Sequence, residues 1–100
     1  MTHLTSRQRA HLRSLAHHLK PIIQVGSDGV TDALLKTVAE AFNTRELLKV
    51  KVLESAPEGP RETGDRIAAS LEGVDVPQTI GRTVVLYRPH PEDPAIRFPG

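Results

Sequence analysis

The segment from Ile22 to Leu35 constrains the fold more than any other part of the chain. It begins with an apolar, β-branched run, Ile22-Ile23-Gln24-Val25. Gly26-Ser27-Asp28-Gly29 follows, and a pattern of helical period begins near Val30. A strand that turns into a helix must return its chain to the sheet through a crossover, which leads to parallel pairing with the next strand. The G-x-x-G turn itself leaves backbone N–H groups uncovered by side chains. It also sits at the positive end of a helix, where an anion is stabilised. Glycine suits such a turn because it adopts φ > 0 freely and lets another backbone approach. Taken alone, four such residues are more often only a tight strand-to-helix turn.

The periodicity supplies the remaining elements. A first helix is expected over Ser6–His18. Thr5 and Gln8 form a T-x-x-Q capping box, and Leu12, Leu15, Ala16 and Leu19 form one apolar stripe. Pro21 closes this segment, and the first strand, Ile22–Val25, follows. A second helix is expected over Thr31–Asn43, buried through Leu34, Leu35, Val38, Ala41 and Phe42 and capped by Asp28 or Thr31. The second strand is expected over Glu46–Leu53. There Leu48, Val50 and Val52 alternate with Lys49 and Lys51, so one face is apolar and the other basic.

A third helix is expected over Arg61–Leu71, with Ile67, Ala68 and Leu71 inward and Gly73 as its terminator. Gly64 weakens it from within. Strands over Val76–Ile80 and Thr83–Tyr87 are joined by Gly81-Arg82, a two-residue hairpin turn of the II′ sort. From Arg88 the chain carries Pro89, Pro91, Pro94 and Pro99 and reads as an extended tail. The order is α-β-α-β-α-β-β. This is an α/β class with a single compact domain over residues 1–100 and a core of about 4–89. Its four-stranded mixed sheet has helices packed on it.

Charge is divided unevenly. Residues 1–50 carry seven Lys/Arg and four Asp/Glu, a balance of +3; residues 51–100 carry six and eight, a balance of −2. Arg7, Arg9, Arg13 and Lys20 precede the glycine turn, as does His3, His11, His17 and His18. A basic surface beside an amide-rich turn fits a polyanion, and it is also an ordinary solvated helix face.

Several chemistries find no support. The chain has no cysteine, which excludes disulfides and thiol catalysis and fits a reducing, cytoplasmic setting. No stretch approaches the length of a membrane span. His11 and His18 are seven residues apart, about 10 Å along a helix, too far to share one metal ion. No G-x-S-x-G, G-x-x-x-x-G-K-[ST] or G-x-G-x-x-G pattern occurs. No enzyme activity, metal, cofactor or small-molecule substrate is expected.

The stretches LTSRQRAHLRSLAHHLKPIIQVGSDGVTDALL, ELLKVKV and TIGRTVVLYRP, in this order, are similar to the bacterial YhbY-type proteins. These are single-domain members of the CRM family (chloroplast RNA splicing and ribosome maturation). The resemblance covers residues 4–89. It implies a fold like the C-terminal domain of bacterial initiation factor three. It further implies RNA binding, with association to large-subunit rRNA in pre-ribosomal particles and a role in their assembly. The family's G-x-x-G loop falls on Gly26, Ser27, Asp28 and Gly29, and its basic surface on Arg7, Arg13, Lys20, Lys49 and Arg88. Family members often carry Lys or Asn within the loop. Asp28 departs from that pattern and is expected to turn back and cap the second helix. The alternative from another class is a protein-interaction module on ribosomal particles, with an incidental basic face.

Overall fold

The computed structural model describes residues 4–98. The elements follow the expected order: α1 (Ser6–Ala16), β1 (Ile23–Val25), α2 (Asp32–Ala41), β2 (Leu47–Val52), α3 (Pro60–Ser70), β3 (Asp75–Ile80) and β4 (Thr83–Tyr87). The four strands form one sheet in the order β1-β2-β4-β3. β1 runs parallel to β2, and β4 is antiparallel to both β2 and β3. β4 is thus inserted between two strands that point the same way. The mixed sheet expected from the element order is the one observed.

Alternation divides the sheet into two faces. The front face carries Ile23, Val25, Leu48, Val50, Val52, Val84 and Leu86. These pack with Val38 of α2, Phe42 at its C-terminal cap and Ile67 of α3 into the main core. α3 comes close to the sheet because it carries Gly64: a Cβ there would lie 2.7 Å from Val84 Cγ1. The glycine that argued against this helix is what lets it pack.

The back face is covered only in part. Leu12 and Ala16 of α1 pack on Leu47, Val85 and Tyr87, with Leu4, Ile96 and Phe98 alongside. The expected stripe on the first helix is therefore half realised. Leu12 and Ala16 are fully buried, whereas Leu15 and Leu19 remain exposed at 39% and 38%. α1 lies on β2 and β3, whereas α2 and α3 pack into the main core on the front, so among the described residues no helix covers this flank of α1. It also stops at Ala16 rather than His18, with His17 as its C-cap.

The tail is not a free extended strand. The Glu46 carboxylate, 4% exposed, accepts the backbone N–H of His90 at 2.5 Å and that of Ile96 at 2.7 Å. Phe98 then makes edge contacts with His11 and Tyr87. Proline blocks regular structure here, and one buried acid gathers the amides instead. Pro99 lies outside the described residues.

The hairpin conforms to expectation. Ile80 pairs with Thr83 across Gly81-Arg82, and of these two turn residues Gly81 has positive φ, at 55°, and Arg82 does not. β3 is an edge strand, which is where its Pro77 is tolerated, within an irregularity of pairing between Asp75 and Gln78.

Candidate nucleic-acid interface

The glycine turn lies at the end of the sheet where β1 and β2 terminate. Val25 pairs with Val52, and the Leu53 amide donates to Val25 O at 2.9 Å. The turn is closed by Gly29 N donating to Gly26 O at 3.0 Å. The Ser27 and Asp28 amides have no acceptor among the described residues, and both residues are exposed.

The two glycines have different reasons to be glycine. Gly29 has φ +68°, and a Cβ on it would lie 2.8 Å from Pro57 Cγ, so the fold itself requires it. Gly26 has no positive φ, and a Cβ there would meet only Leu53 Cδ1 at 3.9 Å. Its openness serves no packing need.

The β2–α3 loop that presses Pro57 on the turn is itself held. Arg66 of α3 grips Glu58 through Nε at 2.6 Å and Nη2 at 2.8 Å. This bidentate bond lowers the carboxyl pKa of Glu58 and raises that of the Arg66 guanidinium. Arg82 closes the same end from below, donating to Val52 O at 2.7 Å and Leu53 O at 2.8 Å. Its charge serves the sheet terminus.

Asp28 does not cap α2. The cap is Thr31, whose hydroxyl accepts the Leu34 N–H at 3.1 Å. Thr31 is one residue from the helix start and has the extended backbone a capping side chain needs; Asp28 lies too far back in a turn closed on itself. Its carboxylate therefore stands at the exposed tip.

The basic candidates separate into groups. Arg7 and Arg13 are both exposed on α1, but six residues place them about 120° apart around the helix. Lys20 follows the end of α1. Lys49 is not a free cation: its Nζ donates to Leu19 O at 3.0 Å and ties the segment after α1 to β2. Arg88 lies at the other end of the sheet from the turn, beyond Tyr87, with its side chain near Gly73. The structure thus brings Lys20 and Lys49 together and keeps Arg88 apart from Gly26–Gly29.

Two groups were not among the expected site residues. Lys51 is exposed on the back face, in register with Gln24 and Thr83. Alternation placed it on the same face as Lys49, but only the path of α1 decides which lysine is free. Arg9 reaches from α1 to β3, where Nη1 donates to Val76 O at 3.3 Å. With Arg61, Asp65 and Gln78 it lines an open groove of about 390 Å³.

Among the described residues no three His, Cys, Asp or Glu side chains converge as a metal site would require. None of the described helices is long and apolar enough to cross a membrane. The site consists of an exposed amide-bearing turn, a basic helix end and an open strip of sheet. In charge and hydrogen-bonding character these features suit contact with an anionic polymer. The chain belongs to the CRS1/YhbY (CRM) domain family, whose model matches residues 4–88.

Relatives agree over nearly the whole length. The Bacillus subtilis protein YqeI, named a probable RNA-binding protein, is 44% identical over 96% of this chain and 99% of its own. A Haemophilus influenzae protein named as RNA-binding is 38% identical over 99% of this chain and 98% of its own. The solution structure of a Staphylococcus aureus protein, described as a candidate RNA binder, superposes with a TM-score of 0.79 at 33% identity. It covers 97% of this chain and 100% of the other.

Proposed function

We propose that this chain is a non-enzymatic RNA-binding protein that contacts rRNA of large-subunit precursors and assists their assembly in the cytoplasm. RNA as the partner rests on the family and on the names its relatives carry. The observation that carries the mode of contact is the pair of unused amides at Ser27 and Asp28, beside a Gly26 whose missing side chain nothing in the fold requires. Two adjacent N–H groups in the turn that leads into α2 donate to a phosphate oxygen, and an open Gly26 lets the sugar–phosphate backbone come close. Arg7, Arg13 and Lys20 neutralise further phosphates.

The decisive experiment measures binding of labelled total ribosomal RNA across a salt series. About four phosphate contacts give a log–log slope of roughly −3 to −4. Gly26→Val, folded by circular dichroism, weakens binding because its side chain occupies the approach. A flat salt response, or unchanged binding by the folded variant, removes this mechanism. Crosslinking with RNA sequencing in cells identifies the rRNA site.

A further inference from the structure

The back face of the sheet is covered at one end by α1 and the tail and left bare at the other. One registered row crosses the bare part: Gln24 of β1 pairs with Lys51 of β2, Lys51 with Thr83 of β4, and Thr83 with Ile80 of β3. Gln24, Lys51 and Ile80 are exposed and Thr83 is half-buried, while their neighbours Val25, Val52 and Val84 are buried on the front. The row holds one cation, hydrogen-bonding groups on either side of it, and no acid.

Its position matters more than its composition. Gln24 lies two residues before Gly26, about 7 Å along the strand. In the other direction, Ile22 N donates to Lys49 O at 3.1 Å, and Lys49 holds Leu19, the neighbour of Lys20. The glycine turn and the Lys20 end of α1 are thus separated by the length of β1, with the Lys51 row between them. A strand gripped at both ends must cross it.

We infer that the RNA strand runs along the β1 edge of the back face, from the glycine turn over the Gln24–Lys51–Thr83 row to Lys20, with Lys51 as the central phosphate contact. This rests on the RNA-binding reading above and adds its path. The charge is complementary, since Lys51 is exposed and Lys49, the other cation on this face, is engaged by a carbonyl. Gln24 and Thr83 present groups that bond phosphate and ribose oxygens.

The test compares Lys51→Gln with Arg45→Gln, which removes the same charge from an exposed site before β2, at the end of the sheet away from the turn. Labelled total ribosomal RNA is titrated by filter binding over a salt series. Lys51→Gln is expected to weaken binding about fivefold and to make the salt slope shallower by about one, with Arg45→Gln near wild type. Thr83→Glu, which sets a carboxylate beside Lys51, reproduces the loss in an independently folded variant. Equal losses for Lys51→Gln and Arg45→Gln overturn the path, because only net charge is then being read. So does unchanged binding by both Lys51→Gln and Thr83→Glu while the wild type binds. A change in oligomeric state with RNA binding intact assigns the face to protein contact and also overturns it. Failure of the wild type to bind removes the RNA-binding reading itself.

Discussion

Lys49 Nζ donates to the carbonyl oxygen of Leu19 at 3.0 Å, across thirty residues of sequence. That bond fastens the segment after α1 to the back of β2 and removes one of the two strand lysines from the free surface. Lys49→Met keeps the aliphatic stem and loses the bond. It is expected to lower stability by about 1 kcal/mol. Its effect on RNA affinity should be smaller than that of Lys51→Gln. Chemical denaturation read alongside filter binding checks both; the reverse ranking would return Lys49 to the interface.

Gly26 and Gly29 are predicted to part company on substitution. Gly29→Ala forces a side chain into the left-handed region and against Pro57, and should cost about 2 kcal/mol or more. Gly26→Ala meets only ordinary van der Waals contact and should stay within about 0.5 kcal/mol of wild type. Thermal melts of the two proteins decide this. The RNA test therefore belongs at Gly26, where lost binding is not lost folding.

Much of this was readable from the chain. The T-x-x-Q box at Thr5 and Gln8 forms with both bonds in place, because capping is local chemistry. The Gly81-Arg82 turn and the Thr83–Tyr87 strand also appear as expected. What the chain did not reveal depends on contacts between distant segments. Leu15 fits the helical stripe yet lies exposed, because helical period says which residues share a face and nothing of how wide a surface that face meets; Leu19 leaves the stripe because α1 ends at Ala16. Glu46 looked like the first residue of a strand, and its role as holder of the tail depends on amides 44 and 50 residues away. The roles of Lys49 and Lys51 differ for the same reason: alternation is blind to where a helix crosses.

Gly64→Ala sets two effects against each other. Alanine favours the helix by about 1 kcal/mol. Its Cβ would also stand 2.7 Å from Val84 Cγ1, in the buried core, and overpacking there costs about 1–3 kcal/mol. Val84 is wholly buried and cannot swing aside, so net destabilisation is expected. Adding Val84→Ala should make the Gly64→Ala change less harmful than it is in the wild-type background. A double-mutant cycle by denaturation measures this, and strict additivity would mean that the helix simply shifts outward.

Glu46 gives stability a defined pH dependence. Burial raises its carboxyl pKa, but the backbone N–H groups of His90, Ile96 and Ala95 outweigh that, and the His90 charge adds to them; the net shift is below the ordinary 4.5. The folded protein therefore holds this proton less readily than the unfolded chain. The resulting stability is fully present above about pH 4.5 and is lost as pH falls through the lower folded value. Glu46→Gln retains one acceptor and turns an amide N–H toward a backbone N–H. It should cost about 1–3 kcal/mol at neutral pH. It should also flatten the fall in denaturation midpoint as the pH drops below about 4.5. The tail reports the same event locally: amide exchange at His90 and Ile96 should accelerate in the variant while that of Val50 and Val84 in the main core changes far less. Equal acceleration everywhere would mean that Glu46 supports the whole domain rather than the clasp on its tail.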